Sequence, residues 1–262
     1  MFRTLASLRA HLSREEAWNL REWVCQRYVS RPLLPTAAGW RRKFHVRVYA
    51  LAVGAHPMRV FVHRDMLALF ASRPYPRDPS DVSDSLAHLT NTCRQGAAVG
   101  ESTTLGDAGQ WRGDGGSGGE EEVVRLLEET AALFPADPSM AARLSRAHEQ
   151  IACLVGETFE AVSAELNFMP LAGCFELFGL DVLLDHACDP WLLEANAEPD
   201  FMQTGGRLGG IIDDVLYGAF ELAVQGRAWE EAEGAGGWDA NGWREVFVKT
   251  AAGSQGSRFA IA

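Results

Sequence analysis

FELFGLDVLLD-HACD-PWLLEANAEPD, residues 175–200, is the stretch that decides the fold. Two apolar runs flank a short polar tetrad. Each run is strand-length and bounded by turn-forming residues, so the pattern predicts two β-strands. With His186–Asp189 as a four-residue loop they form an antiparallel hairpin. Asp185 then faces Pro190, Leu183 faces Leu192 and Asp181 faces Glu194. Strand alternation gathers Asp181, Leu183 and Asp185 on one face with Leu192, Glu194 and Asn196. The other face holds Val182, Leu184, Trp191, Leu193 and Ala195 and is apolar, as a core-facing surface should be. Two carboxylates and an amide therefore converge at one end of a hairpin whose back is buried. Opposed like charges destabilise a strand pair, unless a proton is retained or a cation sits between them. Mg²⁺ meets that need, because it takes oxygen ligands and commonly uses one or two carboxylates completed by phosphates and water. Ca²⁺, a proton-sharing pair and a plain solvated acidic face fit the same spacing.

A second patterned stretch precedes it. In RKFHVRVYALAV, residues 42–53, Phe44, Val46, Val48 and Ala50 point one way and Lys43, His45, Arg47 and Tyr49 the other. MRVFVHRD, residues 58–65, reads as the next strand, joined through GAHP as an antiparallel hairpin, with the apolar MLALF following. Lys43, His45 and Arg47 on one face, with Arg64 on the neighbouring strand, make a cationic groove suited to a polyphosphate.

Outward from these hairpins the chain is less regular. Leu5, Leu8, Leu12 and Leu20 predict a helix over residues 5–22. WVCQRYVSRPLL, residues 23–34, predicts a strand ending in a loop. Residues 96–119 are Gly-rich and polar, the composition of a flexible surface insert. Residues 120–165 predict helix with a break at PADP, and residues 211–224 predict another. From 226 onward a Gly-rich stretch around WDANGW predicts a loosely held tail. This order is not a regular βαβα alternation, so an α+β fold with an antiparallel sheet flanked by helices is expected. The corresponding organisation is an N-terminal helical segment (1–22), a main domain (23–224) and a C-terminal tail (225–262).

Composition bounds the function. The 262 residues are 47% hydrophobic, enough for a core, and carry a net charge of -11. That charge argues against direct nucleic-acid binding and against an anionic membrane surface. Cys25, Cys93, Cys153, Cys174 and Cys188 form no C-x-x-C pair, which points to reduced thiols and a cytoplasmic location. No apolar run is long enough to span a bilayer, and the first residues lack the apolar stretch of a secretory signal. GDGGSG (113–118) and GGSGG (115–119) match dinucleotide-binding and serine-nucleophile patterns, but no strand precedes either. GGRLGG (205–210) offers backbone N–H groups to an anion but reads first as the entry to a helix; His63 and His88 are catalytic candidates, and for His88 a structural role beside the cleft is the favoured reading.

Taken in order, WVCQRYVSRPLL, RKFHVRVYALAV, AHLTNTCRQ (87–95), FELFGLDVLLD and PWLLEANAEPDF resemble the tubulin–tyrosine ligase family, which has an ATP-grasp fold. The texture is closest to fungal members and the resemblance covers residues 23–224. It implies that this chain carries the C-terminal portion of the domain, starting just before the adenine hinge, with the N-terminal lobe missing. It implies ATP and Mg²⁺ as cofactors. Gln26, Arg27, Tyr28 and Val29 would receive adenine, Lys43 would reach the nucleotide, and Thr90 and Asn91 would line the cleft. Arg47 and Arg64 would handle phosphate or the acceptor carboxylate, while Asp181, Glu194 and Asn196 would hold Mg²⁺. His45 stands where the family usually has an acidic residue. The implied reaction activates a protein carboxylate as an acyl phosphate and joins it to the amine of a free amino acid, the acceptor being a tubulin tail. The resemblance also admits a non-catalytic interaction module, associated in fungi with cytoplasmic mRNA-processing-body proteins, and a ligase with a non-tubulin substrate.

Overall fold

The computed structural model describes residues 4–13, 24–55, 57–78, 81–90, 110–111, 121–122, 124–166, 173–199, 201, 205–225, 237–250 and 253–255. Its strands are β1 (Phe44–Val53), β2 (Met58–His63), β3 (Leu67–Phe70), β4 (Gln110–Trp111), β5 (Glu121–Glu122), β6 (Val124–Leu126), β7 (Phe175–Leu184), β8 (Pro190–Ala197), β9 (Trp243–Thr250) and β10 (Gly253–Gln255). Its helices are α1 (Leu5–Leu12), the one-turn α2 (Ser85–His88), α3 (Met140–Val162) and α4 (Gly205–Ala223), with a 3-10 helix at Glu128–Leu133. The fold is α+β, as expected.

β1 is the spine. Its C-terminal half pairs with β2 and its N-terminal half with β3, while β7 runs along the opposite edge. β9 extends the sheet from β2, and β8 closes it beyond β7. Every pairing is antiparallel. The hairpin between β1 and β2 turns at Gly54, whose φ of 71° suits glycine, and a Cβ there would meet the Pro57 carbonyl oxygen at 2.7 Å.

The alternation in β1 sorts two cores. Phe44, Val46, Val48, Ala50 and Ala52 join Val60, Val62, Leu180, Val182 and Leu184 on one face, where Leu144, Ile151, Val155 and Phe159 of α3 cover them. Tyr49 and Leu51 join Phe61, Leu67, Leu69 and Trp243 on the other, where Leu208, Ile212, Val215, Ala219 and Leu222 of α4 cover them. Each apolar side chain fully buried this way is worth roughly 1.5–3 kcal/mol. One helix per face makes a three-layer sandwich. Because α4 packs over the Tyr49 and Leu51 end, the Lys43, His45 and Arg47 end of the same face is left to polar groups.

Several expectations change. Residues 24–29 are not a strand; among the described residues the only ladder element near them is a bridge between Pro32 and Asp185. Pro32 has no N–H to extend it. The stretch after residue 120 begins as β5, β6 and the 3-10 helix, not as α-helix, and α-helix starts at Met140. α1 ends at Leu12, and none of its residues is buried; most of the remainder of the expected helix, like most of the 96–119 insert, lies outside the described residues. The C-terminal stretch is not a loose tail where it is described. Asp239 Oδ1 accepts from the N–H groups of Asn241 and Trp243, turning the chain into β9. Trp243 is fully buried.

The 175–200 hairpin is present with a different loop. Leu184, not Asp185, pairs with Pro190, and Leu183 pairs with Trp191. The loop is therefore one residue longer than expected. A bulge then inserts Leu193 between the Val182–Leu192 and Asp181–Glu194 pairs, and the ladder returns to the expected register at the carboxylates. Between loop and bulge the faces are exchanged. Leu192 packs into the α3-side core, and Trp191, expected to face it, is 46% exposed.

Candidate functional site

Three strands carry one row of the site. Arg47 on β1 lies opposite Asp181 on β7, and Asp181 lies opposite Glu194 on β8. Arg47 holds both carboxylate oxygens of Asp181, Nε to Oδ1 at 2.6 Å and a second guanidinium nitrogen to Oδ2 at 3.3 Å. Both side chains are almost wholly buried. Such a bidentate pair is among the stronger charge-assisted contacts. Asn196 donates to Glu194 Oε1 at 3.2 Å, on the solvent side of the row. Gly179, opposite Asn196, has no room for a side chain: a Cβ would stand 2.8 Å from Pro199 Cβ and 3.2 Å from the Arg47 guanidinium. The sequence-predicted set of Asp181, Glu194 and Asn196 is thus brought together.

The next row is a buried hydrogen-bonded chain. His45 Nδ1 lies 2.6 Å from Thr90 Oγ1, and its Nε2 lies 3.5 Å from Asp181 Oδ1. Burial first, then Arg47 and Lys43, push the imidazole down to about 3. His45 is therefore neutral, which corrects its place among three cationic side chains. A lone pair on Nε2 would face the Asp181 carboxylate, so the ring proton belongs there and Nδ1 accepts from Thr90. Lys43 donates to the His88 carbonyl at 2.9 Å and sits over the Tyr28 ring, 4.9 Å from its centre. Burial lowers its ammonium to about 8. His88 Nε2 must donate to the Asp81 carbonyl at 2.6 Å, so Nδ1 accepts from the Tyr28 hydroxyl, also at 2.6 Å. Burial raises the Tyr28 phenol, and Tyr75 adds to the shift. These bonds occupy both nitrogens of His88, in keeping with a structural role. His63 is likewise held, donating from Nε2 to Asn241 and accepting at Nδ1 from the Asp65 N–H.

The segment from Gln26 to Val29 borders this network. Tyr28 enters it directly, the Gln26 carboxamide donates to the Leu193 carbonyl at 2.7 Å, Arg27 is exposed and Val29 is half-buried. Arg64 stands apart. It follows β2, its Nε lies 3.8 Å from Asp65 Oδ1, and it lines a cavity of about 620 Å³ with Glu128, Ser145 and His148. Among the described residues, none of the polar contacts linking Lys43, His45, Arg47 and Asp181 involves it. The expected four-member cationic groove is therefore reduced to Lys43 and an Arg47 already paired. Asn91 lies outside the described residues. Sequence reasoning missed His45 as the link between Thr90 and Asp181, and missed Tyr75. The separation of two residues between His45 and Arg47 was the available signal for the first; the second had none.

Among the described residues no three His, Cys, Asp or Glu side chains cluster as a metal site. Two carboxylates and an amide oxygen, one carboxylate exposed, instead match a cation that takes its remaining ligands from phosphate and water. The set fits Mg²⁺ in kind, with Arg47 as the competitor for Asp181. No helix of the described residues is long and apolar enough to cross a membrane.

Comparison with known proteins agrees with this architecture. Residues 6–231 match the model of the tubulin–tyrosine ligase family. A probable tubulin–tyrosine ligase of Schizosaccharomyces pombe is 33% identical over 207 residues, covering 78% of this chain and 43% of the relative. One from Saccharomyces cerevisiae is 36% identical over 213 residues, covering 78% of this chain and 25% of the relative. A tubulin polyglutamylase of Homo sapiens is 30% identical over 213 residues, covering 77% and 21%. The chain spans less than half the length of these relatives. The match runs through both hairpins and the site between them, and the chain belongs to the tubulin–tyrosine ligase family.

Proposed function

We propose that this chain carries the nucleotide and metal end of an ATP-dependent ligase, one that joins the amine of an amino acid to a protein carboxylate. The observation that supports it is the Arg47–Asp181–Glu194 row with Asn196 beside it, set against a buried Lys43. Asp181, Glu194 and Asn196 would hold Mg²⁺, which when bound supplies positive charge against phosphate oxygens. Gln26 to Val29 would border adenine. Lys43 stays protonated at neutral pH, because even its lowered value is about 8. It would attract phosphate, and the Tyr28 ring limits where its stem can lie. The acceptor carboxylate would attack the terminal phosphorus of ATP, releasing ADP. The amine would then attack the acyl carbon, releasing phosphate and losing a proton. Here the protein orients the reactants and offsets developing charge.

The names of the relatives favour a tubulin tail as acceptor and a tyrosine or glutamate as donor, and a cytoplasmic setting follows from that substrate. The net charge of -11 does not attract an acidic tail, so Arg64 at its cavity and the Lys43 end of the cleft would carry the local attraction. One observation favours a second reading as a non-catalytic binding module. Arg47 takes both oxygens of Asp181, closing the carboxylate that a metal would need. Calorimetric titration of ATP with Mg²⁺ into wild type and Glu194→Ala separates the two. Metal-dependent binding that is lost in the variant supports the ligase; no binding by wild type leaves the binding module. Equal binding by both removes Glu194 from the metal set.

A further inference from the structure

The bulge at Leu193 settles which way Glu194 points. Residues two apart on a regular strand share a face. Without an extra residue between them, Leu192 and Glu194 could not face the α3-side core and the Asp181 row respectively. Leu193 supplies that extra residue and so stands outside the ladder. Among the described residues nothing in the sheet holds it in place, since β8 pairs with β7 alone. A bulge on an edge strand can migrate, and a shift of one residue reverses every side chain it passes. If Leu193 paired with Asp181 instead, Glu194 would leave the carboxylate row.

One side chain holds the bulge from outside. The Gln26 carboxamide donates to the Leu193 carbonyl at 2.7 Å, across 167 residues of sequence. Gln26 belongs to the irregular segment anchored two residues later by Tyr28 to His88, and further on by the Leu33 N–H to the Leu184 carbonyl. The segment therefore touches the β7–β8 hairpin at both its loop end and its bulge.

We infer that Gln26 is a positioning residue: its carboxamide pins the bulge at Leu193 and thereby keeps Glu194 opposite Asp181, tying the 26–29 segment to the carboxylate pair. The consequence for metal binding rests on the function proposed above; the tie itself does not. The test uses the full chain with Gln26→Leu, which removes the donor, and Gln26→Lys, which keeps one of similar reach. Amide exchange over residues 190–197 without ligand should quicken about three- to tenfold in Gln26→Leu and stay near wild type in Gln26→Lys, the span of one hydrogen bond's net contribution. Mn²⁺ affinity in the presence of ATP, followed by water-proton relaxation, should fall by a similar factor in Gln26→Leu and recover in Gln26→Lys. Unaltered exchange in Gln26→Leu would overturn the tie. So would a loss of metal-free ATP affinity with exchange unchanged, which would make Gln26 an adenine contact only. If wild type binds no Mn²⁺ with ATP, the proposed function fails, and the exchange result still decides the tie.

Discussion

One face of the sheet is built in two ways along the same strand. Under α4, β1 presents Tyr49 and Leu51 to Leu208, Ile212 and Val215, and burial is apolar throughout. Two residues nearer its start it presents Arg47, then His45 and Lys43, and burial is nearly as complete. The first half is held by contact area, which tolerates loss gradually. The second is held by partners: Arg47 needs Asp181, His45 needs Thr90, Lys43 needs the His88 carbonyl. A covering helix would have removed the need for such partners, along with any opening for a ligand. An unmade partnership leaves a buried charge or an unpaired buried polar group, so the polar half should fail abruptly where the apolar half yields by degrees.

The largest effect is expected from Asp181→Ala, which strands Arg47 without its carboxylate and should cost about 3–5 kcal/mol in urea unfolding. Adding Arg47→Leu should recover most of it; a double variant as unstable as the single one would show that the pair is not what holds this half. Leu51→Ala, in the apolar half, should cost about 2–4 kcal/mol, with ATP affinity unchanged in the folded fraction. A matching loss of ATP affinity would mean the two halves are not independent.

A smaller effect concerns pH. Folded Lys43 releases its proton near 8, against 10.5 for the ordinary side chain. Between those values the unfolded chain binds more protons, so this group adds stability as pH rises and withdraws it as pH falls back through 8. Lys43→Met should flatten the slope of stability against pH over that window by up to about 1.4 kcal/mol per unit. A slope that does not change would place the charge of Lys43 in solvent. The smallest stability effect belongs to Glu194→Gln. Exposed at the end of the row, it should shift stability by less than about 0.5 kcal/mol while weakening nucleotide binding only when a divalent cation is present.

Alternation made β1 legible, because a period of two survives whatever the strand packs against. The pairing of Asp181 with Glu194 was legible for a less secure reason. The loop is a residue longer than its sequence indicates, and the bulge at Leu193 cancels the error before the carboxylates are reached. Nothing in LLEAN marks the bulge, since Leu suits either face. Trp191 was misread for that reason: the faces are exchanged only between loop and bulge. WDANGW was read by its glycine content when the informative signal was the Asp239-Ala240-Asn241-Gly242 turn before WREVFVKT. The contacts of Arg64 are set by the turn after β2 and by Gly242, which come together only in three dimensions.

The placement of β9 has a consequence for the order of synthesis. The β1–β2 hairpin and the β1–β3 pairing can form as soon as residue 70 emerges, from neighbours in sequence. β2 must then wait for partners such as Phe247, which pairs with Val60, 187 residues later by subtraction. The family match ends at residue 231, before that strand begins. A nascent chain at that length would carry an open strand edge beside an unfilled Trp243 site, the state in which sheet proteins pair with the wrong neighbour. Any chain shortened to the matched segment should inherit the same exposure permanently, and aggregate where the full chain does not.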